Sequence, residues 1–227
     1  MAGPAKDPVT PPVSFDSGSD LPARAGAGPA APAPVLPTFL KLGGRKVVLV
    51  GGGPVAAAKL SALVDAGAVV TIVAPALVPE LRAAAEAAGV RLCERGFAAA
   101  DLEGAWFVVA AAPPEVNRQV LAAAEPRCLF VNAVDDPPAA TAYAGAIVRK
   151  GPVTLAVSTG GLAPALAGLL REALAAVLPD ELERWAEVAQ AARAAWKRDG
   201  LPMSARRPLL LAKLNEIYAG ADGVVPL

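Results

Sequence analysis

The chain contains no histidine, only two cysteines and few aromatic residues among its 227 positions. The absence of histidine excludes a Ser-His-Asp triad, a Cys-His dyad, an HExxH zinc site and any imidazole acid or base. Proton transfer therefore falls to carboxylates, lysine, tyrosine or cysteine. Cys93 and Cys128 are too few for a disulfide framework or a four-ligand metal site. We expect both to be small apolar strand residues of an intracellular protein with no metal centre.

The charges of the chain are balanced, with 21 Lys+Arg against 21 Asp+Glu and a pI near 6.3. This balance removes the long-range electrostatic reason to expect nucleic acid or an anionic membrane as a partner. Alanine supplies much of the 55% apolar content and aromatic residues only 4%, so we expect an aliphatic interior. The length predicts one globular domain with a smaller appendage.

Two segments could be mistaken for targeting or membrane elements. Residues 1–38 are rich in Pro, Ala and Gly without apolar periodicity, which predicts a disordered leader rather than a secretory signal. The uncharged run from Gly151 to Leu170 is long enough to span a membrane, but STGG interrupts its middle. That pattern indicates a strand, a turn and a helix start. We therefore expect no membrane-spanning segment and a cytoplasmic protein.

From Phe39 onward, short β-branched runs alternate with alanine- and leucine-rich stretches of helical period. This rhythm predicts an α/β fold, a Rossmann-like doubly wound parallel sheet over residues 39–149. The predicted strands are Lys46–Val50, Val69–Val73, Val90–Glu94, Trp106–Ala111 and Leu129–Ala133, with helices near Val55–Ala66, Pro79–Ala88 and Glu115–Glu125. Two further strands, Ala146–Arg149 and Val153–Val157, and a helical remainder predict a small α+β module with C-terminal helices over residues 150–227.

The first predicted strand runs directly into a glycine-rich turn and a helix, in the order Gly51-x-Gly53-x-x-Ala56. The first Gly permits the tight turn, the second lets the backbone approach a pyrophosphate, and the small third residue lets the helix pack on the strand. The helix start adds free N–H groups and a positive dipole end. We expect a dinucleotide cofactor to bind Gly51, Gly52, Gly53, Pro54, Val55 and Ala56. A plain strand-to-helix turn without a ligand is the alternative.

One element of a dinucleotide site is missing. An Asp or Glu usually follows the second strand and holds the ribose hydroxyls. Here the sequence is TIVAPALVPE, and its first carboxylate, Glu80, already lies in the next predicted helix. We therefore expect backbone groups of Ala74, Ala76 and Leu77 to hold the ribose. The acidic residue that usually distinguishes NAD from NADP is therefore missing, and the sequence does not decide between the two cofactors.

A series of motifs, taken in order, resembles a known family. The motifs are GGGPVAAAK (51–59), TIVAP (71–75), VNAVDDP (131–137), VRKG (148–151) and LAVSTGGLAPALAGLLREAL (155–174). They are similar to the precorrin-2 dehydrogenase/sirohydrochlorin ferrochelatase family, the N-terminal part of siroheme synthase. The resemblance implies an NAD-dependent enzyme that oxidises precorrin-2 to sirohydrochlorin and, in some members, inserts iron. It also implies a homodimer joined through the second module. Because about fifty residues follow the last motif, we expect no fused methyltransferase domain.

Asp135 is the candidate catalytic residue. Dehydrogenating a saturated tetrapyrrole requires a hydride acceptor and a base, with no step that needs imidazole or a metal. Asp135 follows the fifth predicted strand, where doubly wound sheets place their ligand crevice, and it matches the aspartate to which the family's catalysis is assigned. Alternatively, Asp135 and Asp136 only open a turn. A non-catalytic Rossmann dimer that senses NAD(H) would use the same glycine turn and need no base.

A second turn joins a strand to a helix start at Ser158, Thr159 and Gly160. Free amides and hydroxyls at such a position bind anions, and precorrin-2 carries many carboxylates. We therefore expect these three residues to bind substrate, with an ordinary Ser/Thr N-cap as the alternative. Asn132 is also a predicted substrate-binding residue that orients the Asp135 loop, unless it only satisfies the end of a strand.

Overall fold

The computed structural model describes residues 34–218, so the predicted leader falls almost wholly outside the described residues. Five parallel strands form one sheet in the order β3-β2-β1-β4-β5. The strands are β1 Lys46–Val50, β2 Val69–Val73, β3 Arg91–Cys93, β4 Phe107–Ala110 and β5 Phe130–Ala133. The connecting helices are α1 Pro54–Asp65, α2 Pro79–Ala87 and α3 Pro114–Ala124. The predicted Rossmann-like doubly wound sheet is confirmed.

The sheet is covered on both faces, which explains why its central strands are continuous apolar runs. Leu49 of β1 packs with Leu60 of α1 in one buried cluster. Its neighbour Val48 packs with Val120 of α3 in a second cluster on the other face. Each such buried side chain contributes about 1.5–3 kcal/mol relative to an exposed one. The largest fully buried side chains are Leu, Ile and Val, as the low aromatic content predicts.

The helices begin one residue earlier than the sequence patterns predict in two of the three connections. Pro54 and Pro114 are the first residues of α1 and α3, where Val55 and Glu115 were expected. Proline suits this position because the first N–H of a helix has no intrahelical partner and the fixed φ is already helical. At the sheet edge, β3 is shorter than predicted and covers only Arg91–Cys93.

A separate hairpin and three helices follow the parallel sheet. Strands β6 Ala146–Lys150 and β7 Val153–Val157 pair antiparallel. The helices are α4 Pro164–Val177, α5 Leu182–Arg198 and α6 Met203–Glu216. None of the helices between residues 34 and 218 combines the length and apolarity that a membrane span requires. The boundary between domains near residue 150 stays a prediction, although β6 pairs with β7 rather than with the parallel sheet.

Candidate nucleotide site and the Asp135 loop

A cavity of about 680 Å³ opens at the carboxyl ends of β1, β2 and β4. This is where the strand order reverses, between β1 and β4, and where open α/β sheets bind ligands. Its walls are the glycine turn 51–53, the segment 73–78 after β2, Gly96 and Phe97 after β3, and the segment 111–113 after β4. Every lining residue is glycine, proline or another residue with an apolar side chain. The polar groups that this cavity offers to a ligand are therefore backbone groups.

The three glycines of the turn meet different surroundings. A Cβ atom on Gly51 would lie 2.2 Å from the carbonyl oxygen of Ala111, and one on Gly52 would lie 1.8 Å from that of Ala76. A Cβ on Gly53 would have no neighbour within 4 Å. Gly51 and Gly52 thus allow the turn to pack against the segments after β4 and β2. Gly53 faces open space at the start of α1, where no side chain caps the helix.

The predicted cofactor residues divide into two groups. Those that line the cavity are Gly51, Gly52, Gly53, Ala74, Ala76 and Leu77. Pro54, Val55 and Ala56 do not line it. Ala56 is fully buried against the sheet, which is the packing role of the small third residue, whereas Val55 is 44% exposed. The roles of all nine residues in cofactor binding stay predictions.

The sequence patterns did not predict the wall supplied by the loop after β3. Gly96 and Phe97 belong to that wall. Their position could have indicated them, because the carboxyl ends of all parallel strands meet at one edge of the sheet. Any loop that follows such a strand is therefore a candidate wall.

Asp135 lies in the turn directly after β5. It is exposed, with φ of +56°, a left-handed conformation that Asp tolerates better than most residues. Within residues 34–218 its carboxylate has no hydrogen-bond partner. Asp135 is not among the residues that line the cavity, but β5 is the neighbour of β4, whose end does line it. Its catalytic role stays a prediction.

Asn117, a residue that the sequence patterns did not predict, joins the Asp135 loop to the cavity wall. It lies on α3 and is 1% exposed. Its Nδ2 donates to Oδ2 of Asp136 over 3.1 Å, and its Oδ1 accepts the N–H of Ala112 over 3.3 Å. Buried amides require such partners. The available signal was a polar residue on the apolar face of α3, three positions before the buried Val120.

Asn132 is buried in β5 and is 6% exposed. Its Nδ2 donates to the carbonyl oxygen of Ala142 over 3.0 Å, and Thr141 Oγ1 accepts the N–H of Val131 over 2.8 Å. These bonds hold the segment 141–142 along the edge of the sheet. The side-chain amide of Asn132 therefore binds the backbone of the segment that follows β5, and its contact with substrate stays a prediction.

The hydroxyls of the second predicted turn are used within the turn itself. Ser158 Oγ accepts the N–H of Gly160 over 3.1 Å, and Thr159 Oγ1 accepts the N–H of Ala163 over 3.1 Å. These bonds close the turn before α4, whose N-cap residue Ala163 makes no side-chain capping bond. Each hydroxyl keeps its own proton to donate. A substrate carboxylate at Ser158, Thr159 and Gly160 stays a prediction.

Two arginine-carboxylate pairs flank the loop after β3. Arg82 of α2 donates to both carboxylate oxygens of Glu94 over 3.0 and 2.6 Å, which lowers the pKa of Glu94 below its usual value. Arg95 pairs in the same bidentate way with Asp101, and its hydrogen bond lowers the pKa of that carboxyl. Among the residues described, no group of three or more acidic, His or Cys residues is arranged to hold a metal.

Comparison with known proteins relates this geometry to a family. Residues 38–146 match the family described as putative NAD(P)-binding, and residues 150–177 match sirohaem biosynthesis protein central. Siroheme synthase 1 of Aeromonas salmonicida is 43% identical over 173 residues, which are 76% of this chain and 37% of that protein. Siroheme synthase of Citrobacter koseri is 41% identical over 173 residues, covering 76% and 38%. Over residues 38–177 the chain is thus similar to proteins of siroheme biosynthesis.

These matches confirm the resemblance carried by the motifs, and the first of them confirms a nicotinamide dinucleotide as the expected class of cofactor. The chain spans a little over a third of the length of the curated relatives it matches. A solved structure titled SirC, precorrin-2 dehydrogenase, superposes with a TM-score of 0.64 at 22% identity. It covers 83% of this chain and 93% of that one. This likeness concerns the fold, a parallel sheet with a second module and C-terminal helices.

Proposed function

We propose that this protein dehydrogenates precorrin-2 to sirohydrochlorin with NAD as the hydride acceptor. The observation that carries the proposal is the apolar cavity beside the glycine turn, in a chain that is similar to proteins of siroheme biosynthesis. Its relatives are named siroheme synthases, and the structure of similar fold is titled a precorrin-2 dehydrogenase.

The residues of the cavity fit a nicotinamide dinucleotide. Gly53 leaves open space beside the uncapped start of α1, where amide N–H groups bind a pyrophosphate. The apolar walls suit the two flat rings, and about 680 Å³ lies within the usual range of roughly 300–1,000 Å³ for ligand sites. Backbone groups of Ala74, Ala76 and Leu77 hold the ribose in this proposal. When bound, the dinucleotide supplies the hydride acceptor.

Asp135 is the base that we assign to the reaction. Each dehydrogenation removes a hydride and a proton from the tetrapyrrole, and the proton passes to the Asp135 carboxylate. That carboxylate is exposed and unpaired within residues 34–218. Asn117 links the Asp135 loop to the cavity wall at Ala112, so one buried amide helps to position both the base and the hydride acceptor.

The turn at Ser158, Thr159 and Gly160 is our proposed contact for substrate carboxylates. The hydroxyls of Ser158 and Thr159 are held in place by the amides that donate to them, and each retains a proton that it can donate to a substrate carboxylate. Asn132 acts on this turn indirectly, because it fixes the segment 141–142 and the next residue, Tyr143, lies beside Gly161.

The test of the proposed function is turnover of precorrin-2 with NAD and, separately, NADP. We expect sirohydrochlorin and reduced nucleotide to form in equal amounts, and the absorbance of each product measures this. Nucleotide binding without any turnover would favour the non-catalytic NAD(H) sensor.

Both cysteines are unpaired, which supports a reducing, cytoplasmic location.

We further infer that two copies of the chain pair through α4. Five apolar side chains at the helix and its start are exposed, by 44–78%: Leu162, Leu166, Leu169, Leu170 and Val177. Their spacing of three, four and seven residues places those of the helix along one stripe. Ala167 is buried on the side that packs against the hairpin. A stripe of this kind marks an interaction surface.

Replacing Leu169 by glutamate is expected to convert the dimer into a monomer, because a charge at the centre of an apolar interface cannot be buried unpaired. The molar mass from light scattering after gel filtration measures this. Leu209→Glu, a substitution at an exposed leucine of α6, is the matched control and should leave the dimer intact. A wild-type chain that is monomeric, or a Leu169→Glu variant that stays dimeric, would exclude this interface.

A further inference from the structure

We propose that Arg95 and Asp101 are positioning residues for the nucleotide, holding Phe97 as the wall against which the adenine ring packs. This inference rests on the proposed function, because it requires a dinucleotide in the cavity. It is argued from the topology of the sheet, the chemistry of the wall and the contacts of the loop after β3.

The topology separates the two ends of the nucleotide. In the order β3-β2-β1-β4-β5, the glycine turn follows the central strand β1. The walls after β2 and β3 lie on one side of it, and the wall after β4 lies on the other. Asp135 follows β5, on the β4 side. Because the nicotinamide must lie on the side of the proposed base, the adenosine half falls on the side of Phe97.

Phe97 is the one aromatic residue among those that line the cavity in the described part of the chain. It is half-buried and packs against the core cluster that contains Val73 and Leu102. Adenine has a flat π face, and aromatic side chains bind such faces by stacking. The neighbouring wall, the segment 74–78, offers only apolar side chains and backbone.

An ion pair closes the loop on both sides of Phe97. Arg95 Nη2 lies 2.5 Å from Asp101 Oδ1 and Arg95 Nη1 lies 2.8 Å from Oδ2. Arg95 Nη1 also donates to the carbonyl oxygen of Gly96 over 2.9 Å, and Asp101 Oδ2 accepts the N–H of Ala98 over 2.9 Å. The residues on either side of Phe97 are therefore both bonded to this pair.

The carboxylate of this pair is well placed to act as an anchor. The Asp101 side chain is only 8% exposed, whereas its partner Arg95 is 53% exposed. A bidentate pair with a buried carboxylate is stronger and more directional than an exposed ion pair. Lys46, at the start of β1, donates to the backbone oxygens of Asp101 and Glu103 over 2.9 and 2.7 Å. The anchor is thus fixed to the central strand of the sheet.

The ends of the loop are held independently, so the ion pair acts on its middle. Glu94 is paired with Arg82 of α2, and Lys46 holds the far end. Between them Gly96 has no side chain to restrict the backbone. Loss of the Arg95–Asp101 pair should leave the loop attached at both ends while Phe97 loses its fixed position.

The experiment uses Arg95→Lys and Asp101→Asn in the full chain, with NAD and nicotinamide mononucleotide as probes in calorimetric titration or competition. We expect both variants to bind NAD roughly fivefold to twentyfold more weakly, because the adenine loses part of its stacking on Phe97. Affinity for nicotinamide mononucleotide, which lacks the adenine, should not change. The kcat at saturating NAD should also hold, so that the effect is confined to KM for NAD. Glu172→Gln, which breaks the exposed Arg171–Glu172 pair, is the control and should bind NAD like wild type.

Phe97 provides a second and independent variant pair. Phe97→Tyr should keep the affinity for NAD because the ring is retained, and Phe97→Leu should lower it. This pair tests the adenine contact even if Asp101→Asn does not fold.

Unchanged NAD affinity in Arg95→Lys, Asp101→Asn and Phe97→Leu would overturn the inference while leaving the proposed function intact. An equal loss of affinity for NAD and nicotinamide mononucleotide would also overturn it, because it would indicate general loosening of the cavity. A wild-type protein without affinity for NAD would refute the proposed function itself and the inference with it.

Discussion

The Asp135→Asn variant is expected to oxidise precorrin-2 with a kcat about 10²–10⁴ times lower than wild type, the usual loss when a general base is removed. Its affinity for NAD should stay within about twofold, since Asp135 does not line the cavity. Asparagine is preferred to alanine here because the backbone at Asp135 has a φ of +56°, which Asn accommodates and Ala does not. Rates at saturating precorrin-2 and NAD, with a parallel NAD titration, measure the two quantities.

Asp136→Asn is the matched control for this substitution. The new side chain keeps an oxygen that can accept the hydrogen bond from Asn117 Nδ2, so the loop should stay in place. Near wild-type turnover is therefore expected. Wild-type turnover by Asp135→Asn would remove Asp135 from the mechanism. Loss of NAD binding in Asp135→Asn would instead assign Asp135 a role in cofactor binding.

The second large effect concerns two adjacent glycines. Gly53→Ala is expected to fold normally, because its Cβ meets nothing within 4 Å and its backbone, with φ of −90°, suits alanine. Its affinity for NAD should fall by about 100-fold or more, because the methyl group occupies the space through which the pyrophosphate approaches the backbone. Thermal unfolding and NAD titration of the same preparation separate the two properties.

Gly52→Ala should differ from Gly53→Ala, because its main effect is a loss of folding stability. Its Cβ would lie 1.8 Å from the carbonyl oxygen of Ala76, which is backbone and must move. We expect a marked fall in Tm and, with the displaced segment after β2, a damaged cavity. Gly53→Ala with wild-type affinity would place the pyrophosphate elsewhere, and Gly52→Ala with an unchanged Tm would contradict the close approach of the two segments.

Most of the parallel sheet could be predicted because its signals are local. Val47 to Val50 form a continuous apolar run because α1 and α3 cover opposite faces of β1. Side chains on both faces of the strand must therefore be apolar, and this pattern is visible in the sequence. The ends of the elements were less exact. Helix α1 begins at Pro54 rather than at Val55, because proline is preferred at the first helical position.

The candidate site was only partly predictable, because several of its contacts join residues far apart in the chain. The glycine turn is a local pattern and could be found. The link from Asn117 to Asp136 spans 19 positions, and the approach of Phe97 to the cavity depends on the order of the strands. Neither produces a periodic signal. The hydroxyls of Ser158 and Thr159 illustrate a further limit, since the same residues predict a helix cap and an anion site.

The most direct test of the central claim is a calorimetric titration of the full chain with NAD, with NADP in parallel. Nucleotide binding beside the glycine turn predicts saturable binding of one NAD per chain, lost in Gly53→Ala and retained in Asp135→Asn. Absence of affinity for both nucleotides in a folded wild-type protein would contradict it.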